Sequence, residues 1–170
     1  MKRTSYRGIS LREAEHVIRH QKYVRSESRV FCNGITAKPV YGQGVYMVND
    51  LELAAQYAFC HAEAELQPGV VLKQEVVFEN PLILNRNYGE KQLKLDAWTW
   101  KTSSALFESM SQPSSERIGD CIKEYLLLKG YDGVISHLGD ELIHYVSYFP
   151  EKQIGKISWH LSFSIQDLIV

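Results

Sequence analysis

Apolar and polar positions change their period several times along this 170-residue chain, and each change marks an element. Ser5-Tyr6-Arg7-Gly8-Ile9 reads as the end of a strand. Ser10-Leu11-Arg12-Glu13 then opens a helix as a capping box, the Ser10 hydroxyl taking the third amide and Glu13 reaching back. That helix runs to about Lys22. Tyr23 to Pro39 is of mixed polarity, carries a Cys32-Asn33-Gly34 turn and reads as a loop. Gly42-Gln43-Gly44-Val45-Tyr46 is a short strand entered through glycines. Asn49 or Asp50 caps a helix from Leu51 to about Glu65, and Gln67-Pro68-Gly69 breaks it. Val70 to Phe78 is rich in β-branched residues and forms a strand that Asn80-Pro81 ends; Leu82-Ile83-Leu84 reads as its continuation after a kink. Asn85 to Ser115 has no clear period. It sets Trp98, Trp100 and Phe107 in a polar background with two serine pairs, which predicts partial helix and mobile surface. Glu116 to Lys129 is a helix with Ile118, Cys121, Ile122, Tyr125 and Leu126 on one face, ended by Gly130-Tyr131-Asp132-Gly133. Three short strands follow at Val134–Ser136, Leu142–Tyr148 and Ile157–Ser162. Helices and strands do not alternate regularly, so the fold class is α+β rather than a doubly wound sheet. With no internal repeat and no linker, residues 1–170 read as a single domain.

Composition narrows the picture a little. The chain is long enough for a sizeable core, and its apolar and charged fractions are ordinary for a soluble globular protein. It holds no apolar run of about 18 residues, which predicts no membrane span, and its basic start lacks the apolar core of a secretory signal. Three cysteines at wide spacing, Cys32, Cys60 and Cys121, predict reduced thiols in a cytoplasmic setting, with delivery into another cell's cytosol left open. No Cys/His pairs stand at metal-ligand spacing, so no metal is expected. The net charge of -1 hides an asymmetry: residues 1–40 carry nine Lys/Arg against three Asp/Glu, or +6, leaving -7 for residues 41–170. A basic N-terminal third suits a pyrophosphate or nucleic-acid backbone, and equally a solvated helix face.

The candidate chemistry centres on Tyr46 and Tyr57, eleven residues apart in Gly42-Gln43-Gly44-Val45-Tyr46 and Ala54-Ala55-Gln56-Tyr57-Ala58. They fall on a strand and on the helix after it. Two facing rings can hold a flat heteroaromatic such as nicotinamide, with about 0.5–1.5 kcal/mol from stacking beyond buried area. Aromatic residues so placed are also common core.

Three segments in order carry a resemblance: Tyr6-Arg7-Gly8-Ile9-Ser10; the two glycine-tyrosine and alanine-tyrosine runs above; and Gly130-Tyr131-Asp132-Gly133-Val134-Ile135 followed by Tyr145-Val146-Ser147-Tyr148-Phe149-Pro150-Glu151-Lys152-Gln153-Ile154. Together they resemble the ADP-ribosyltransferases of the diphtheria-toxin and poly(ADP-ribose)-polymerase branch, with their bacterial and phage relatives, among them toxins and effectors. The resemblance spans most of the chain and leaves residues 85–115 unmatched. It implies a split, twisted antiparallel β core with flanking helices that holds NAD, as substrate, without a Rossmann fold; the lack of a Gly-x-Gly-x-x-Gly run agrees. It also implies that Tyr46 and Tyr57 sandwich nicotinamide and that the Gly8 backbone pairs with the carboxamide. Arg7 stands where that branch has a histidine, while another branch uses arginine there for NAD phosphate or ribose. Ser10 closes the same NAD-binding segment.

The third segment departs from the family pattern. A glutamate there begins the strand and stabilises the positive charge that develops on ribose as nicotinamide leaves. Aligning on Tyr145-Val146 and Pro150 puts His144 in that position, and the nearest acid is Glu141. An offset of three sets Glu141 on the other face of a regular strand, unless a bulge shifts the register. The implied function is mono-ADP-ribosyl transfer from NAD to a macromolecular acceptor, protein or nucleic acid. The alternative is a catalytically weak or inactive NAD-binding or interaction module of the same fold.

Overall fold

A computed structural model describes residues 1–24, 29–30, 36–103 and 115–168. The predicted turn at Cys32-Asn33-Gly34, and Phe107 with its surroundings, lie outside the described residues. Along the chain run β1 (Lys2–Ser10), α1 (Leu11–His20), β2 (Arg29–Val30), β3 (Thr36–Ala37), β4 (Val45–Val48), α2 (Leu51–Glu65), β5 (Gly69–Val77), β6 (Pro81–Leu84), α3 (Glu90–Thr102), α4 (Ser115–Leu128), β7 (Gly133–Leu138), β8 (Leu142–Ser147), α5 (Pro150–Gln153) and β9 (Ser158–Phe163), with a final 3-10 turn at Ile165–Leu168. The class is α+β. Seven strands form one sheet in the order β6-β7-β8-β4-β1-β5-β9, and β2 pairs with β3 apart from it.

Two features of the sheet position the site. All nine residues of β1 pair with β5, from Lys2 against Val77 to Ser10 against Gly69. Against β4, β1 has the single register pair Tyr6–Val48. The sheet is therefore nearly cut between β1 and β4. One half is β1-β5-β9 and the other is β4-β8-β7-β6. The pairs are antiparallel, as expected of the core, except β6 with β7 at the sheet edge, which is parallel. That pair corrects the reading of Leu82-Ile83-Leu84: these residues do not extend β5, but leave it and pair at the opposite edge of the sheet, Leu82 against Val134. Asn80 supports the crossing by donating through Nδ2 to the Gly130 carbonyl, 2.9 Å, while the Glu79 amide donates to Asp132 Oδ2, 2.7 Å.

Helices cover both faces. On one face α1 packs its Ala14 and Val17 with Ile9, Val70, Leu72, Met47, Ile135 and Tyr145. On the other, α2 covers β1 and β5 while α3 and α4 cover the other half of the sheet through Leu93, Ala97, Ile122 and Leu126 against Leu84, Val134 and Val146. Helix α2 starts as expected, with Asp50 accepting the Leu53 amide at 2.6 Å. Its Ala54, Ala58 and Ala62, four residues apart, are fully buried. This small-residue face lets the helix backbone lie on Gly8, where an added Cβ would stand 1.9 Å from the Ala54 oxygen and 2.4 Å from the Ala58 nitrogen. Helix α1 begins where predicted, but Ser10 makes no side-chain cap bond; its Oγ is buried with no partner among the described residues, so the capping box does not form. The helix ends at His20, with Gln21 in the left-handed region, two residues earlier than expected. Residues 90–102, which have no clear period in sequence, form a regular helix. No helix among the described residues is long and apolar enough to cross a membrane.

Candidate functional site

Where the sheet is nearly cut, a cleft of about 410 Å³ opens on the face shared by α2 and α3, a size typical of small-molecule pockets. Its floor is one row of register partners across four strands: Tyr6 pairs with Val48, Val48 with His144, and His144 with Ser136. Directly opposed residues share a face of the sheet, so all four side chains present to the same side, and all four line the cleft. Tyr57 from α2, Glu90 from α3 and Lys38 with Tyr41 from the loop before β4 form the walls.

Tyr46 and Tyr57 are half-buried and border this cleft together with Gly8. Their rings pack in different clusters, Tyr46 with the α3–α4 side and Tyr57 with the α2 side. The two aromatics thus come from the two sides of the joint. Tyr46 is held by its hydroxyl, which donates to the Gly42 carbonyl at 2.6 Å and accepts the Tyr41 amide at 3.1 Å. Gly42 sustains that loop at φ +82°, a conformation open to glycine.

Arg7 also borders the cleft but is only 3% exposed. Alternation along β1 sets it on the opposite face from Tyr6 and Gly8. Its guanidinium lies 5.2 Å from the centre of the Tyr23 ring, and Nη1 donates to the Tyr46 carbonyl at 2.6 Å. Arg7 therefore straps β1 to β4 where the ladder between them fails. Tyr23 is itself buried, donates to Gln74 Oε1 at 2.5 Å, and has its phenol pKa pushed up by burial. Ser10 stands apart, in a separate surface hollow beside Arg12, His16 and Gln67.

His144 and Glu141 part company. The register of β7 against β8 is unbroken from Gly133–Ser147 to Leu138–Leu142, so no bulge shifts Glu141 into the strand. Glu141 sits exposed in the turn before β8, where its carbonyl accepts Asn49 Nδ2 at 2.7 Å. It does not border the cleft. His144 does, half-buried, with Nε2 buried and without a partner among the described residues. Desolvation lowers its pKa below the usual imidazole value, so the neutral ring is favoured.

Sequence reasoning missed Glu90, Tyr41 and Ser136. Glu90 lay in the aperiodic stretch, and nothing local ties it to a strand some fifty residues away. Tyr41 is buried, and its phenol is pushed up to about 12 by burial, with neighbouring Ser136 opposing and Glu90 adding to the rise. The glutamine of the third segment has a structural role. Gln153, buried in the one-turn helix α5, accepts from Ser147 Oγ at 2.6 Å and from the Phe149 amide at 3.0 Å, and donates to the Asp132 carbonyl at 3.0 Å. These bonds hold the C-terminal end of β8.

No family model, no curated protein and no solved structure matches this chain.

Proposed function

We propose that the cleft binds NAD and that the protein is a mono-ADP-ribosyltransferase, splitting nicotinamide from NAD and passing ADP-ribose to a macromolecular acceptor. The observation that carries this reading is the convergence of Gly8, Tyr46, Tyr57 and His144 on one cleft at a nearly cut joint of an α+β sheet. These residues lie far apart in sequence, and the motif resemblance assigns each of them to the same ligand. Tyr46 and Tyr57 flank the flat nicotinamide ring. Gly8 borders the cleft, and its backbone pairs with the carboxamide. His144 takes the floor position beside the ribose and hydrogen-bonds a hydroxyl as the neutral imidazole.

The test is incubation with NAD labelled in its adenylate part, together with protein and nucleic-acid acceptors, followed by measurement of free nicotinamide and labelled acceptor. Release of nicotinamide with transfer of label is the expected result. A second reading has its own support: Glu141 lies outside the cleft, and a neutral histidine stabilises a developing cation poorly. On that reading the domain is an NAD-binding module, and calorimetry would register NAD binding without nicotinamide release. Absence of NAD binding would overturn both.

A further inference from the structure

We propose that Glu90, the first residue of α3, is the catalytic carboxylate of this cleft and takes the proton released by the incoming nucleophile. The proposal rests on the NAD reading above. Among the described residues that line the cleft, Glu90 is the one carboxylic acid.

Tyr41 ties it to the clamp. The Tyr41 amide donates to the Tyr46 hydroxyl at 3.1 Å, and the Tyr41 hydroxyl donates to Glu90 Oε2 at 3.5 Å. One tyrosine thus runs from the ring that would flank nicotinamide to the carboxylate. Ser136, the register partner of His144, lines the same cleft as Tyr41. Glu90 on the wall and Ser136 and His144 on the floor thus line one cleft. The other oxygen of Glu90, Oε1, is held by Lys94 Nζ, one helical turn further along α3.

The two groups differ in what they can offer. His144 is half-buried on the floor and favours its neutral form. The Glu90 side chain is 44% exposed at the cleft wall, so it meets solvent and any macromolecule that approaches the opening. A macromolecular acceptor approaches from the opening, and a proton acceptor on the wall stands on its path to the ribose. In the reaction, the bond between ribose carbon and nicotinamide nitrogen breaks, its electron pair goes to the nitrogen, and neutral nicotinamide leaves. A lone pair of the acceptor's hydroxyl or amine, or of water, forms the new bond to that carbon. The proton of the nucleophile passes to Glu90 and from there to solvent. The sum is NAD plus acceptor giving ADP-ribosyl acceptor, nicotinamide and one proton, with no change of oxidation state.

The experiment compares Glu90→Gln with the unmodified protein for NAD binding by calorimetry, nicotinamide release at saturating NAD, and thermal midpoint. The expected result is a loss of kcat of about 100-fold or more, with unchanged NAD affinity and unchanged midpoint. In Glu90→Ala, added formate should restore part of the lost rate and leave the unmodified protein unaffected. Release by Glu90→Gln at the unmodified rate would overturn the role of Glu90 and leave the NAD reading standing. A fall in midpoint and NAD affinity in step with the rate would overturn it by making Glu90 structural. NAD binding without release by the unmodified protein, or no binding at all, would overturn the enzyme reading and the role of Glu90 with it.

Discussion

His144 illustrates how a residue's surroundings set its chemistry. It occupies the strand position read from the sequence, but the value of that position depends on charge. Burial lowers its pKa in the folded state, while in the unfolded chain a histidine titrates near about 6.5. Between those two values the unfolded state binds the extra proton, so stability is full above about pH 6.5 and falls as the pH drops toward the folded value. Urea unfolding should therefore show a lower midpoint at about pH 5.5 than at about pH 7.5, and the difference should shrink in His144→Asn. An identical pH dependence in the variant would show that His144 is not desolvated. Glu141 teaches the complementary lesson. Its spacing of three from His144 already argued against a shared strand face, and the unbroken β7–β8 register removes the bulge that could have restored it.

At the scale of elements, the site depends on how closely α2 lies on β1. Gly8 and the buried Ala54, Ala58 and Ala62 make that approach possible, and the approach puts Tyr57 at the cleft. Gly8→Ala would place a methyl group 1.9 Å from the Ala54 oxygen and 2.4 Å from the Ala58 nitrogen. Both are backbone atoms, so no side chain can swing aside. The cost should reach or exceed the roughly 1–3 kcal/mol typical of overpacking, read as a lower urea midpoint or as loss of soluble protein. A Gly8→Ala protein of unchanged stability would mean that α2 is not seated on β1 in this way. This packing role stands beside the proposed backbone contact to nicotinamide, and stability measurements alone report on the packing.

At the scale of the whole molecule, two half-sheets meet at one register pair, and a buried arginine carries part of the joint. Sequence reading expected the Arg7 guanidinium to face the ligand, so that Arg7→Ala would weaken NAD binding far more than stability. Its bond to the Tyr46 carbonyl and its place over Tyr23 give Arg7, which also borders the cleft, a structural role as well. Removing it leaves a carbonyl at the joint without its charged donor, a loss of about 1–3 kcal/mol. Arg7→Ala should lower stability by that order, and amide exchange should quicken in β4 more than in β5, which keeps its full ladder to β1. Equal protection of both strands in the variant would count against the strap.

The sequence by itself determined the local elements: the Asp50 cap, the breaks after α2 and α4, the β-branched run of β5, and a strand-turn-helix that carries Tyr46 and Tyr57. Each of these is encoded within a few residues, through hydrogen bonds from i to i+4, side-chain alternation and turn chemistry, so a single stretch of chain displays it. Only the tertiary structure decided which strands became neighbours. It sent Leu82–Leu84 to the far edge of the sheet, aligned Tyr6, Val48, His144 and Ser136 in one row, turned Arg7 into the joint and brought Glu90 from an aperiodic stretch to the cleft wall. Strand neighbours and register arise from packing between residues tens of positions apart, where the gain of burying whole faces outweighs the entropy of closing long loops. No local pattern records that balance, which is why the tyrosines and His144 were legible in the chain and their partners were not.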